Sequence, residues 1–187
     1  NSSFDTRKLT EGKHNVTVYA YDFAGNLNNL VSATFVVDNI FPTLNSSNIT
    51  GAYFNGTNFI FSPANQDGLY DSINIIMNAS ELIMDWGTTY LYDSNGITAK
   101  WFTSPGIDNI FSLIKNWDGN LSGGGYAPDG VYTINTTITD AAGNSNTLTV
   151  ISVFIDNSPP AFSNLLINPS PPNEAQAVQI NATITDA

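Results

Sequence analysis

The chain repeats itself at a fixed separation. Asp22-Phe23-Ala24-Gly25-Asn26 returns as Asp140-Ala141-Ala142-Gly143-Asn144, and Asp38-Asn39-Ile40-Phe41-Pro42 returns as Asp156-Asn157-Ser158-Pro159-Pro160. Glu11-Gly12 and Asp129-Gly130 keep the same separation of 118 residues, the interval between Asp22 and Asp140. Self-similarity at one period marks a tandem array, in which each period is a structural unit joined to its neighbours. Such arrays usually serve mechanical or adhesive roles, and no catalytic constellation in the 187 residues competes with that reading.

Charge narrows the partners. The formal net charge is −11, from 16 Asp plus Glu against 5 Lys plus Arg. A nucleic-acid binder needs a basic footprint, and attraction to an anionic membrane surface needs clustered Lys and Arg; neither partner is expected. No stretch is apolar over the roughly 20 residues that span a bilayer, so no direct membrane insertion is expected of this segment. The absence of Cys rules out a disulfide framework and any Cys-based zinc site. The chain starts without Met and in the middle of a repeat, as expected of an excerpt or a processed product.

Short alternating apolar runs, separated by clusters of Gly, Asn, Asp and Pro, read as strands and turns. No segment carries a 3.6-residue apolar stripe. Over 14–22 one face carries Val16, Val18 and Ala20; over 131–140, Tyr132, Ile134, Thr136 and Ile138. Over 72–80 it is Ile73, Ile75 and Met77, and over 178–185, Val178, Ile180, Ala182 and Ile184. Asn-x-Ser/Thr sequons, the candidate glycosylation sites, begin at Asn1, Asn15, Asn45, Asn48, Asn55, Asn78, Asn120, Asn135 and Asn181. Asn15, Asn78, Asn135 and Asn181 fall on the polar faces of those strands, where the pleat points a glycan to solvent.

The Asp-x-Ala-Gly-Asn motifs lie between two strands and read as hairpin turns, with Gly-Asn supplying the positive φ. The Asp-Asn-x-x-Pro motifs follow the last strand of a unit, where Pro ends the ladder and stiffens the link onward. The expected division is therefore residues 1–41 as the C-terminal part of one domain and 42–160 as a complete domain of about seven strands. Residues 161–187 are the N-terminal strand or two of a further one, with the extended, Pro-rich stretch Asn168-Pro169-Ser170-Pro171-Pro172 within it. The end segments present apolar faces and unpaired edges, so they are expected to pack on each other, on the middle domain or on adjacent chains.

Two resemblances attach to these motifs. Residues 9–42, with Leu9-Thr10-Glu11-Gly12-Lys13-His14-Asn15-Val16-Thr17-Val18-Tyr19-Ala20-Tyr21-Asp22-Phe23-Ala24-Gly25-Asn26 and then Val36-Val37-Asp38-Asn39-Ile40-Phe41-Pro42, resemble the Ig-like repeats of large adhesins and of bacterial or archaeal surface-layer proteins. The middle domain resembles the Ig-like domain of the flagellar hook-capping protein and its relatives at the C-termini of secreted proteins. The residues that carry this likeness are Phe61-Ser62-Pro63-Ala64-Asn65-Gln66-Asp67-Gly68-Leu69-Tyr70-Asp71, Tyr92-Asp93-Ser94-Asn95-Gly96, Trp117-Asp118-Gly119-Asn120 and Pro128-Asp129-Gly130-Val131-Tyr132. Ala64 departs from that family's usual Ser-Pro-Asn-x-Asp-Gly. The resemblance implies an all-β fold of antiparallel Ig-like β-sandwich repeats in tandem, outside the cytoplasm. It implies no ligand.

Two oxygen-rich sets are candidate calcium sites, and calcium is the one cofactor expected. Asn65, Asp67 and Asp71 offer hard donors at i, i+2 and i+6 around Gly68, as in a Ca²⁺ loop that lacks its distal Glu. Asp38, Asp140 and Asp156 sit at domain ends, with Asn39, Asn157 and Asp22 as neighbours, where carboxylates of adjacent units can share a cation. Turn and strand-end capping by Asx side chains is the ordinary account of both sets. His14, the single His, aligns with Tyr132, whose Asp-Gly-Val-Tyr setting resembles the tyrosine corner of Ig-type sandwiches; a structural role is expected. A glycosidase needs two carboxylates across a sugar, but Glu11, Glu81 and Glu174 fall in different units or turns, and Asp85, Asp93, Asp108 and Asp118 read as turn residues. Trp86, Tyr90, Tyr92 and Trp101 form either an aromatic platform for glycans or cross-strand pairs of a sandwich.

The expected function is that of a non-enzymatic, extracellular structural module of a multi-domain, N-glycosylated cell-surface protein. Its expected partners are neighbouring repeats and copies of itself. An adhesin or carbohydrate-binding module, or an accessory domain of a secreted hydrolase, is the alternative.

Overall fold

Residues 3–80, 84–105, 110–171 and 177–186 are described by a computed structural model. Asn1, Glu81, Asp108 and Glu174 lie outside the described residues. Period-two patterning gives strands throughout, and a three-residue 3₁₀ turn at Thr6–Lys8 is the only helical element among the described residues.

Two sheets face each other in the middle of the chain. One has the order β3 (Thr43–Thr50), β6 (Ile73–Ser80), β9 (Ile110–Trp117). The other has the order β4 (Tyr53–Phe54), β5 (Phe59–Phe61), β11 (Ser145–Ile155), β10 (Gly130–Asp140), β7 (Met84–Tyr92), β8 (Thr98–Pro105). The pairs are antiparallel except that β5 runs parallel to β11, Phe59 to Phe61 against Val153 to Ile155. That exception arises because the chain leaves the first sheet after β3 and joins the edge of the second. The crossing passes Gly51, at φ +84, where a Cβ would lie 2.5 Å from the Ser72 carbonyl oxygen. Only glycine fits that backbone and that space.

The core follows the pleat. Ile73, Ile75, Met77 and Ala79 turn inward from β6 and meet Tyr132, Ile134, Thr136 and Ile138 of β10, all buried. Thr136 is polar but satisfied, lying 3.0 Å from the Thr89 hydroxyl and donating to Met77 Sδ at 2.9 Å. Trp117 is wholly buried between Phe61 and Tyr132, in edge contacts of 5.3 and 5.4 Å. Its indole N–H reaches the Asn120 carbonyl at 3.0 Å, so the largest core side chain carries no orphaned donor.

Two hairpins flank this sandwich: β1 (Gly12–Tyr21) with β2 (Leu27–Val37), and β12 (Ala161–Asn168) with β13 (Gln179–Thr185). Their registers copy pairs inside the sandwich. Gly12 opposes Val37 as Gly130 opposes Ile155, so β1–β2 repeats β10–β11. Phe162 opposes Ile184 and Ile167 opposes Ile180, as Leu44 opposes Ala79 and Ile49 opposes Ile75, so β12–β13 repeats β3–β6.

Candidate functional site: the linker clasp

Three loops share one construction. Asp22, Asp93 and Asp140 each accept main-chain N–H bonds from two and four residues onward on the same oxygen. The donors are Ala24 and Asn26 at 2.9 and 2.8 Å, Asn95 and Ile97 at 2.9 and 2.8 Å, and Ala142 and Asn144 at 2.9 and 2.8 Å. Gly25, Gly96 and Gly143 turn each loop at φ between 75 and 93. In the first and third loops the Asn side chain closes on the second carboxylate oxygen, Asn26 on Asp22 at 2.6 Å and Asn144 on Asp140 at 2.8 Å. The Asn26 amide, followed by main-chain N–H donors, holds the Asp22 carboxyl below its ordinary range. Asp22 is exposed, whereas Asp140 is only 1% exposed.

The burial of Asp140 comes from what the loop touches. Asn144 Nδ2 also donates to the Asp38 carbonyl at 3.1 Å, and Asn146 Nδ2 donates to the Pro42 carbonyl at 3.1 Å. These two amides grip both ends of the linker that leads from β2 into β3. On its other side the linker is held by the hairpin it leaves. Glu11 accepts from Asn39 twice, from the main-chain N–H at 2.9 Å and the side-chain amide at 2.8 Å.

The second linker repeats the hold that Glu11 exerts on Asn39. Asp129 accepts the Asn157 N–H at 2.7 Å and the Ser158 hydroxyl at 2.6 Å. Asn157 Oδ1 takes the Ala64 N–H at 2.9 Å, and its amide reaches the Ala127 carbonyl at 3.3 Å. Burial raises the Asp129 carboxyl, but the Ser158 and Asn157 donors outweigh it and leave the group below its ordinary value. Both acid-to-Asn bonds span 28 residues, so the acid-Gly motifs (Glu11-Gly12, Asp129-Gly130) and the Asp-Asn motifs are two halves of one lock. Just above it, the Tyr132 hydroxyl donates to the Pro128 carbonyl at 3.0 Å, a tyrosine corner, and His14 Nε2 lies 2.6 Å from the Thr10 carbonyl in the matching place. Burial, then the charges of Asp93 and Asp129, raise the Tyr132 phenol, which keeps it a donor.

The candidate calcium residues divide among these networks. Asp67 accepts from Leu69 at 2.8 Å and Asp71 from Gly68 at 2.8 Å, so the Asn65–Asp71 loop is a turn closed by its own carboxylates. A cleft of about 770 Å³ brings Asn65 and Asp67 alongside Asp156. Asp38 and Asp140 meet at the other linker through Asn144. Among the described residues no group of three or more His, Cys, Asp or Glu side chains could hold a metal ion.

Sequon residues Asn15, Asn45, Asn48, Asn55 and Asn181 are exposed, while Asn78, Asn120 and Asn135 are half-buried. Asn78 is bracketed by Ser46 and Ser112, and the Asn120 amide is spent on Asp118 at 2.8 Å. Trp86, Tyr90 and Tyr92 lie at alternate positions of β7, and Trp101 opposes Tyr90 on β8, so the four aromatics share the outer face of the larger sheet. Tyr90 and Tyr92 stack at 5.9 Å, and the two Trp side chains are exposed.

The residues that reasoning from sequence missed are the amides of Asn144 and Asn146 and the acids Glu11 and Asp129. A signal was present: Asn26 and Asn28 stand at the same 118-residue separation from Asn144 and Asn146.

No curated protein matches the chain. Among solved structures it is similar to dimeric latent PorU from Porphyromonas gingivalis, at 15% identity and TM-score 0.43, over 79% of this chain and 12% of that one. It is also similar to FlgD from Xanthomonas campestris, whose structure is described as giving insights into the hook capping essential for flagellar assembly, at 19% identity and TM-score 0.34, over 60% of this chain and 75% of that one. The chain thus spans about an eighth of the length of PorU. Residues 1–62 match the family described as bacterial Ig-like domain (group 3), and residues 109–157 match a second described as bacterial Ig-like domain. Two segments of the chain, 1–62 and 109–157, are thus similar to bacterial Ig-like domains, with residues 63–108 of the middle sandwich between them.

Proposed function

We propose that this chain is a non-enzymatic structural segment of an extracellular array of Ig-like units, in which the clasp fixes the angle between neighbours. The observation that supports it most is the pair of bonds from Asn144 and Asn146 to the Asp38 and Pro42 carbonyls, opposed by Glu11 on Asn39. Each bond is worth about 1 kcal/mol. Together with the fixed φ of Pro42, they restrict a link that would otherwise swivel. Exposed sequons fit a glycosylated surface role. The test is the Asn144→Ala/Asn146→Ala double variant, read by residual dipolar couplings in β1–β2 and in the sandwich. Two independent alignment tensors in the variant against one in the parent are expected; one shared tensor in both overturns the reading.

The gathered Trp86, Tyr90, Tyr92 and Trp101 favour a second reading, a glycan-binding face. Aromatic side chains on the open face of a sheet suit sugar rings. Quenching or enhancement of tryptophan fluorescence on titration with oligosaccharides, lost in Trp101→Ala, is its test, and a flat titration across a glycan panel removes it.

A further inference from the structure

Two Asn-Gly steps occur in the chain, Asn55-Gly56 and Asn95-Gly96. Both lie in exposed hairpin turns, the first between β4 and β5 and the second between β7 and β8, with the glycines at φ +97 and +75. Their hydrogen bonding is opposite. At the first step, Asn55 Oδ1 accepts the Thr57 N–H at 3.0 Å and the Asn58 N–H at 2.8 Å. Among the described residues nothing accepts the Gly56 N–H. At the second step, the Gly96 N–H is taken by the Asp93 carbonyl at 3.0 Å. The main-chain N–H groups of Asn95 and Ile97 go to Asp93 Oδ1 at 2.9 and 2.8 Å, and among the described residues no donor reaches the Asn95 side chain.

We propose that Asn55 is a self-modification site, at which the Gly56 nitrogen closes on Asn55 Cγ in the folded protein to form a succinimide, and that Asn95 is protected. The bonds to Thr57 and Asn58 fold the Asn55 carboxamide forward over residue 56, towards the nitrogen that attacks it. Solvent hydroxide removes the Gly56 amide proton. The nitrogen then forms a bond to Cγ, and the Cγ–Nδ2 bond breaks as Nδ2 takes a proton from water and leaves as ammonia. The Thr57 and Asn58 N–H groups meet the negative charge that develops on Oδ1, as main-chain dipoles fixed before the reaction. Glycine puts no side chain in the way, and the space around its Cβ position is open. Water then opens the ring. Cleavage at Cγ gives aspartate; cleavage at the main-chain carbonyl gives isoaspartate, with the chain running on through Cβ and Cγ. No atom changes oxidation state, and water is the only co-reactant.

Asn55 also opens the sequon Asn55-Gly56-Thr57. A glycan on Nδ2 removes the leaving group, so the same nitrogen has two mutually exclusive fates. The bare residue gains a negative charge on a chain already at −11. Isoaspartate also lengthens the main chain at the residue whose N–H closes the hairpin on the Asn58 carbonyl at 3.2 Å. β4 is the edge strand of the larger sheet, seated by the pairs Tyr53 with Ile60 and Phe54 with Phe59. Its release bares the edge of β5, an unpaired ladder open to another strand.

Protein made in a host that adds no glycans, aged at mildly alkaline pH and mapped by peptide mass spectrometry, tests this. Chromatography separates the isoaspartyl from the aspartyl peptide. In the folded protein Asn55 is expected to convert roughly tenfold faster than Asn95, the difference that a held or free attacking N–H makes. In denaturant the two rates should converge, because only the shared Asn-Gly step remains. Asp93→Ala, which removes the acceptor that closes the second loop, should bring Asn95 towards the Asn55 rate. The isoaspartyl fraction should lose amide-exchange protection at Tyr53 and Phe54. Folded protein in which Asn55 stays unconverted, or in which Asn95 keeps pace with it, overturns the proposal. So does a gap that persists in denaturant, or an Asn95 rate that Asp93→Ala leaves unmoved. None of these outcomes involves the Asn144 and Asn146 clasp, so the array reading stands or falls separately.

Discussion

Asp140 shows how little a carboxylate's identity says until its donors are counted. Read as a motif it offers a metal two oxygens; in the fold both oxygens are taken by Ala142, Asn144 and the Asn144 amide, and the group is buried. Asp140→Ala would leave those donors unpaired under the linker, and a loss of about 3 kcal/mol from the sandwich is expected. Its repeat partner Asp22→Ala should leave the same denaturant midpoint in place, since it belongs to a different unit. Asp129 gives a pH-dependent counterpart. Its folded value lies below the ordinary 3.8, so its contribution is fully present above that value and is lost as pH falls through the lower folded value. The melting-temperature gap between parent and Asp129→Asn is therefore expected to be constant at neutral pH and to close only below about pH 4.

At the scale of elements, period-two alternation was enough to find β1, β6, β10 and β13, and in β6 and β10 it also sorted the buried face from the open one, because one side of each of those strands packs into the core. It could not place β5, whose parallel seat beside β11 is chosen by where the chain crosses at Gly51. Nor could it find the clasp, because Asn144 and its carbonyl partner are 106 residues apart and no local pattern links an amide to a distant main-chain oxygen. Equal strands in unequal surroundings make a direct comparison. Ile75 is fully buried and Ile180, its counterpart, is 66% exposed. Ile75→Ala is expected to cost about 2–5 kcal/mol, and Ile180→Ala almost nothing in dilute solution, both read from chemical denaturation.

Across the whole molecule stability is graded. The sandwich has a closed core, whereas isolated two-stranded hairpins are marginal in water. Amide hydrogen exchange in dilute solution is therefore expected to be slow at β6 and β10 and fast at β12–β13. Uniform protection at low concentration would contradict that. The clasp has a further consequence. Asn144 and Asn146 read the linker through its carbonyls, and every residue has one, so the intervening Ile40-Phe41 can change without loosening those two bonds. Units joined this way are interchangeable parts. A gene encoding them can gain or lose whole periods by unequal recombination, and each new junction arrives with its fastening already specified.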